Sequence, residues 1–101
     1  MKTYKTVDKF IDSQKESINW EDEMIIGGKM FRMYEYGGGA MFHMDYDYIY
    51  FVNKKTHNAI YIKYNCPASQ YIDGKRVITK KYSFIDAEFI ENMDLWRDDT
   101  L

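Results

Sequence analysis

His43, Asp45 and Asp47 are the residues of this chain whose types and spacing could do chemistry, because they form the pattern H-x-D-x-D. Alternate residues of a β-strand project to one face, with Cβ atoms roughly 6.5–7 Å apart. A divalent metal needs ligand atoms about 2.0–2.6 Å from one centre, so the aspartates could chelate, with His43 joining only if the strand bends. No second ligand cluster accompanies them. The pattern therefore favours a solvated acidic strand face, and we predict no bound metal.

Other catalytic groups lack the neighbours that they would need. Cys66 is the single cysteine, so no intrachain disulfide can form, and a nucleophilic thiol would have only His43 or His57 as a base. The glycines at 37–39 lead into a predicted strand, and no G-K-[ST] follows them as a phosphate loop would require. We therefore predict no enzyme, no catalytic residue and no cofactor. An enzyme built on His43 and the two aspartates is kept only as a third hypothesis.

Length and composition indicate one domain, residues 1–101, with an ample core. Apolar residues make up 46% of the 101 residues, aromatic residues make up 18%, and ten of the residues are tyrosine. Tyrosine buries a ring while its hydroxyl stays wet, so it suits half-exposed sheet faces and interfaces. The first ten residues, MKTYKTVDKF, hold no apolar run, and no stretch approaches the roughly 20 apolar residues of a membrane span. We therefore expect a cytoplasmic protein without a membrane partner.

Charge is divided along the chain although the net charge is only −2. Residues 51–81 carry seven bases and one acid, a net charge of +6, between blocks of −4 (residues 18–50) and −5 (residues 82–101). Most of this pattern is typical of cross-strand charge pairing on a solvated sheet. A dipolar surface that steers a partner is the alternative interpretation.

The hydrophobic pattern predicts an α+β fold: an antiparallel sheet of four to six strands flanked by an N-terminal and a C-terminal helix. Thr6 is the expected N-cap of the first helix, with Val7, Phe10, Ile11, Gln14 and Ile18 on its buried side. The last helix should bury Ile85, Phe89, Ile90, Met93 and Trp96 and expose Glu88, Glu91, Asp94 and Asp98. Gly27-Gly28 and Asp73-Gly74 predict tight hairpin turns.

The run MFHMDYDYIYFV, residues 41–52, is predicted to be a strand with two unlike faces. We expect its aromatic row to pack against a helix and its other row to face water or a partner. The first row is Phe42, Met44, Tyr46, Tyr48, Tyr50 and Val52, and the second is Met41, His43, Asp45, Asp47, Ile49 and Phe51. On the following strand, Ile60, Ile62 and Tyr64 should point inward and Tyr61 and Lys63 outward.

The leading functional hypothesis is a small protein-binding inhibitor that occludes a partner stoichiometrically through acidic and tyrosine-rich surfaces. The chain resembles phage-encoded inhibitors of bacterial defence enzymes, including anti-CRISPR proteins, and immunity proteins that neutralise toxins. This likeness is one of size, charge pattern and composition; it covers no motif and identifies no family. The expected partner is another protein, such as a nucleic-acid-binding defence enzyme or a toxin. The expected contact residues are Asp45, Tyr46, Asp47, Tyr48, Glu88, Glu91, Asp94 and Asp98.

The alternative hypothesis is a module that binds a nucleotide or single-stranded nucleic acid through the Lys/Arg–Tyr block 54–82. Stacking on tyrosines combined with a basic groove is the usual means of binding single strands. The expected phosphate-binding residues are Lys75, Arg76, Lys80 and Lys81. The acidic blocks on either side would repel a phosphate backbone, which is why protein binding is the leading hypothesis.

Overall fold

The computed structural model describes residues 1–18, 21–38, 45–65 and 68–96. Over these residues the chain forms one helix and eight strands. In chain order they are β1 (Lys2–Tyr4), α1 (Val7–Glu16), β2 (Glu23–Ile26), β3 (Lys29–Gly38), β4 (Tyr46–Val52), β5 (Ala59–Asn65), β6 (Ala68–Ile72), β7 (Lys75–Lys80) and β8 (Phe84–Ile90). No helix among the described residues has the length and the apolar character needed to cross a membrane.

Six of the strands form one sheet that curls into a half barrel, in the order β1-β2-β3-β4-β5-β8. The β1–β2 pairing is parallel and all others in this sheet are antiparallel. Strands β6 and β7 form a separate two-stranded hairpin, which we call the arm. Every described side chain of the arm from Ser69 to Thr79 is exposed.

The predicted α+β class, with a helix at each end, is wrong, because the described chain is mostly β and contains one helix. Residues 84–90 form strand β8, which pairs antiparallel with β5 from Phe84 to Ile90. The predicted buried residues of the C-terminal helix include Phe89 and Trp96, which are 42% and 59% exposed. The segment FIDAEFI fits a strand because its aromatic and β-branched residues suit a pleated surface, and pairing with the edge of β5 outweighs its helical periodicity.

The predicted N-terminal helix is confirmed over Val7–Glu16. Thr6 has extended backbone angles, and its hydroxyl accepts a hydrogen bond from the Lys9 amide at 3.1 Å, which satisfies one of the unpaired donors of the first turn. Phe10 and Gln14 are buried, as predicted, whereas Ile18 lies beyond the end of the helix.

Helix α1 covers one face of the sheet, which we call the helix face, and the main core lies between them. Phe10 makes edge-to-face contacts with Tyr4 and with Phe51, at ring-centroid distances of 5.1 and 5.5 Å. The buried residues of this core are Phe10, Met24, Ile26, Phe31, Ile49, Phe51, Ile60, Ile62 and Tyr64. The inward orientation predicted for Ile60, Ile62 and Tyr64 is therefore confirmed.

The orientation predicted for β4 is wrong. Asp47, Ile49 and Phe51 lie on the helix face and are buried, while Tyr46, Tyr48 and Tyr50 lie half-exposed on the opposite face. The reason is that Ile49 pairs with Ile62 and Phe51 with Ile60, so burying the β5 isoleucines also buries these two β4 residues. Residues 41–44, which include His43, lie outside the described part of the chain.

A smaller core lies on the opposite face of the sheet. It contains Tyr34, Val52, Ala59 and Leu95, with Tyr50, Ile90 and Met93 packed against it. Tyr34 occupies a β-bulge, since the register between β3 and β4 shifts between Met33 and Glu35. Residues 91–96, which follow β8, therefore cover one end of this face, and no other described residue after β8 packs on that core.

Candidate functional site

The part of the second sheet face that the described residues leave half-exposed carries a group of aromatic rings with one lysine, which we call the tyrosine face. It consists of Tyr46, Tyr48, Tyr50, Tyr61, Lys63 and Trp96. Tyr50 and Tyr61 are register partners whose rings stack at 4.6 Å, and Tyr48 lies 5.8 and 6.0 Å from them. Trp96 lies at 6.0 Å from Tyr50 and 5.0 Å from Tyr34, edge to face in both cases. The rings thus form one continuous patch rather than scattered exposed residues.

Glycine at position 37 makes room for one of these rings. Gly37 is the register partner of Tyr48, and a Cβ atom at position 37 would lie 2.8 Å from the Tyr48 hydroxyl oxygen. The Tyr48 ring therefore extends across β3 and covers the bare backbone of the glycine, as aromatic side chains do opposite glycines in other sheets. This packing fixes the ring and so lowers the entropy that it would lose on binding a partner.

Two hydroxyl groups of the tyrosine face, those of Tyr50 and Tyr61, have a raised pKa and stay protonated at neutral pH. Burial raises the pKa of Tyr50, and the neighbouring Tyr48 adds to that rise. Burial also raises the pKa of Tyr61, and its interaction with Tyr46 contributes further. The Lys63 ammonium lies over the Tyr46 ring at 4.1 Å from the centroid. Tyr50 and Tyr61 therefore offer neutral hydroxyl groups that can donate and accept hydrogen bonds.

The two aspartates of the H-x-D-x-D pattern have different environments. Asp45 is exposed, whereas Asp47 is 8% exposed and accepts hydrogen bonds from the hydroxyls of Tyr36, at 3.3 Å, and Tyr82. The two hydroxyls also lie 2.8 Å apart. Asp47 is therefore a structural acceptor on the helix face, and the prediction of an outward acidic row through Asp45 and Asp47 is wrong.

The acidic residues predicted near the C-terminus do not share a helix face. Glu88 lies on β8 as the register partner of Tyr61, which places it at the border of the tyrosine face. Glu91 and Asp94 are exposed in the segment that follows β8. Asp98 lies outside the described residues. The structure thus brings Glu88 together with Tyr46 and Tyr48 on one side of the sheet, and it tests the contact role of none of these residues.

The predicted phosphate-binding residues lie on the arm and at its base. Lys75 and Arg76 are exposed on β7, and Arg76 Nε donates to Ser69 Oγ at 3.2 Å. Lys81 is exposed, and its carbonyl accepts a hydrogen bond from Asn65 Nδ2 at 2.8 Å. The side chain of Lys80 and the whole of Cys66 lie outside the described residues. Within those residues, no group of three or more His, Cys, Asp or Glu side chains is arranged to hold a metal.

Tyr50, Tyr61, Lys63 and Trp96 belong to the tyrosine face but were absent from the predicted contact residues. Tyr61 was predicted to point outward, and the outward position of Tyr50 follows once the two strands are paired in register. Trp96 carried no usable signal, because its position depends on β8 replacing the expected helix.

Comparison of the chain with protein-family models, with curated proteins and with solved structures gives no match. The functional argument therefore depends on the geometry alone.

Proposed function

We propose that this chain is a protein-binding module and that the tyrosine face is its binding site. The observation that supports this proposal is the continuous patch of Tyr46, Tyr48, Tyr50, Tyr61 and Trp96 on a rigid sheet, with Trp96 59% exposed. Tyrosine and tryptophan are enriched at interface hot spots because they bury a large area for few rotatable bonds. Monomers rarely leave contiguous aromatic patches open without a partner.

Acidic side chains at the border favour a protein partner over nucleic acid. Asp86 and Glu88 are exposed register partners of Lys63 and Tyr61, and Asp45 is exposed next to Tyr46. A phosphate backbone would meet these carboxylates, whereas a basic protein surface would be attracted to them. The expected complex has aromatic anchors in its centre and charged groups at its rim.

Stoichiometric inhibition is the mode of action that we propose for this module. A protein that covers a partner's own binding surface blocks that surface without any chemistry. This mode requires a rigid contact face and no catalytic group, and the stacked rings of the tyrosine face supply the first requirement.

The test is partner capture with two double variants. Wild-type protein should retain a specific partner from its native host, and Tyr48→Ala with Tyr61→Ala should weaken retention by at least about 30-fold, since interface hot spots cost about 2 kcal/mol or more each. Tyr71→Ala with Ile72→Ala is the matched control, because both side chains are exposed on the arm. Equal retention by both variants at unchanged melting temperature would contradict a role for the tyrosine face.

The alternative through the basic block 54–82 is less well supported by the geometry. Lys54 and Lys55 lie in the turn after β4, whereas Lys75 and Arg76 lie on the arm, which follows the opposite end of β5. The block therefore divides between two ends of the molecule, and one ligand would contact only one half of it.

A further inference from the structure

A basic cleft of about 490 Å³ lies between two turns at one end of the sheet. We define it by six of its lining residues: Lys29, Met30, Arg32, Asn53, Lys54 and Lys55. Four of these six are cations, and none of the described residues that line the cleft is acidic. The chain as a whole carries a net charge of −2, so this concentration of positive charge is local.

Sheet topology brings these residues together from distant parts of the sequence. The β2–β3 turn and the β4–β5 turn lie at the same end of the antiparallel strands, and Arg32 is the register partner of Val52, which directly precedes Asn53. Lys29 follows the two-residue turn Gly27-Gly28, in which both glycines have positive φ, as a tight hairpin requires.

Hydrogen bonds within the β4–β5 turn hold Lys54 and Lys55 in place. Asn53 is buried, and its Oδ1 accepts from the amides of Lys55, at 2.9 Å, and Thr56, at 3.1 Å. The Asn53 amide donates to the Asn58 carbonyl at 2.9 Å, and the His57 amide donates to the Asn53 carbonyl at 2.8 Å. The turn is therefore built by its backbone and by Asn53, and the two lysine side chains are not needed for its shape.

Arg32 forms an ion pair with Glu23, so the three lysines supply the net positive charge of the cleft. The Arg32 Nε donates to Glu23 Oε1 at 2.9 Å across the β2–β3 pair, in which the two residues are register partners. Lys29, Lys54 and Lys55 are exposed around it. The lining residues of the cleft include these three lysines and no acid, so an anion bound between them would be attracted by all three.

We propose that this basic cleft binds a small anion that carries two or more phosphate groups, such as a nucleoside diphosphate. Lysine ammonium groups bind phosphate as point charges, and the volume falls within the roughly 300–1,000 Å³ of small-ligand sites. Met30 and the aliphatic stems of the lysines offer apolar surface for the rest of such a ligand. This site is separate from the tyrosine face and does not depend on the proposed protein binding.

Calorimetric titration with ADP, pyrophosphate and adenosine at low salt tests the proposal. ADP should bind one to one and adenosine should not bind. Lys54→Gln with Lys55→Gln should weaken ADP binding by about tenfold or more, because a hydrogen bond to a charged group contributes about 1.5–3 kcal/mol. Lys9→Gln with Lys15→Gln removes the same charge from exposed positions on helix α1 and should leave binding unchanged.

The comparison of ligands identifies the source of the phosphates. ADP binding tighter than pyrophosphate assigns a nucleotide, and equal binding assigns the phosphate groups alone; either result supports the site. Absence of ADP binding, or equal loss in the two double variants, would overturn the proposal. Tighter binding of a single-stranded oligonucleotide than of ADP would overturn it as well, in favour of a nucleic-acid surface. Circular dichroism confirms that both variants are folded.

Discussion

At the scale of single residues, the buried polar side chains hold the connections of the fold together. Gln14 joins helix α1 to β5, because its Oε1 accepts a hydrogen bond from the Tyr64 hydroxyl at 2.9 Å. Asn53 stabilises the β4–β5 turn through its Oδ1, which accepts a hydrogen bond from the Lys55 amide. Asp47 binds the hydroxyls of Tyr36 and Tyr82. Among the described residues, no buried side-chain nitrogen or oxygen lacks a hydrogen-bond partner. These polar residues therefore stabilise the fold, because an unsatisfied group at any of these positions would carry a desolvation cost.

Replacement of Asp47 should reveal its structural role. Asp47→Ala removes the acceptor of two tyrosine hydroxyls and should lower the free energy of unfolding by about 1–3 kcal/mol, measured by urea denaturation. Asp45→Ala is the matched control; because Asp45 is exposed, its effect should stay within about 0.5 kcal/mol. Similar effects of the two variants would mean that the two aspartates are equivalent, as the sequence pattern alone suggests.

The buried tyrosine of the main core should make stability depend on alkaline pH. Burial raises the pKa of Tyr64 above its ordinary value of about 10, so the unfolded chain loses this proton at a lower pH than the native chain. The stabilisation is complete below about pH 10 and is lost as pH rises above it, at up to about 1.4 kcal/mol per pH unit.

The measurement is urea denaturation from about pH 8 to about pH 11. Tyr64→Phe should be less stable at the lower pH, because Gln14 loses a donor, and should lose less stability above about pH 10. Tyr71→Phe is the control, since Tyr71 is 78% exposed on the arm and should leave the profile unchanged. A wild-type profile that stays flat up to about pH 11 would contradict the native-state protonation of Tyr64.

At the scale of elements, local signals predict correctly where one residue type decides the conformation. Thr6 begins the helix, and Gly27-Gly28 and Asp73-Gly74 occupy turns with positive φ, as expected from their sequences. Local signals do not decide the conformation of the C-terminal segment. Phe89, Ile90 and Met93 fit the helical period, whereas the residue types of 84–90 also suit a strand. Only the unpaired edge of β5 decides between the two, and that edge is a property of the assembled sheet.

The candidate site was predictable only in part, because the sequence shows the residue types of a strand but not its pairing with other strands. The sequence identifies Tyr46 and Tyr48 as contact residues but places the tyrosine row of β4 on the buried side. A register that joins Val52 to Ala59 would have corrected this, since it forces Ile49 to face the same side as Ile62. The basic cleft was missed because Lys29 and Lys54 are distant in sequence and meet only through the strand order.

The end of β3 should tolerate no side chain at position 38. Gly38 has φ +100, and a Cβ atom there would lie 2.5 Å from the Tyr46 carbonyl oxygen. Gly38→Ala should therefore lower the free energy of unfolding by more than about 2 kcal/mol, since backbone strain and a collision with a neighbouring strand add together.

Gly28→Ala provides the comparison for this prediction. Gly28 has φ +75 with no atom within 4 Å of the added Cβ, so only the backbone strain of about 1 kcal/mol should appear. Equal losses in the two variants, measured by thermal and urea denaturation, would show that β4 does not approach Gly38 as closely as described.

At the scale of the whole molecule, the chain consists of a packed body and a projecting arm. The extents are 52 × 28 × 21 Å and the radius of gyration is 15.3 Å, above the roughly 13 Å expected for a compact domain of this length. Tyr71, Ile72, Val77 and Ile78 are all exposed on the arm. A two-stranded hairpin without a core of its own is marginally stable in water, so the arm contributes little to the stability of the body.

Hydrogen exchange should separate these two parts. Backbone amides of β6 and β7 should exchange through local opening. Their protection should be far below that of β4 and β5, which contribute buried residues to the main core. The two pairs of strands provide an internal comparison within one experiment, read by mass spectrometry or NMR. Equal protection of arm and core strands would mean that the arm unfolds only with the whole molecule.

Asn65 fixes the distance between the two ends of the segment that links β5 to β8. Its amide group donates to the Lys81 carbonyl at 2.8 Å and accepts from the Ser83 amide, while its own backbone amide donates to the Ser83 carbonyl at 3.0 Å. Strands β5 and β8 are sheet neighbours, so residues 66–83 form an insertion between two paired strands. The sheet thus holds the two ends of this insertion at a fixed separation. Hairpins of other lengths and sequences could be grafted between them while the sheet is preserved.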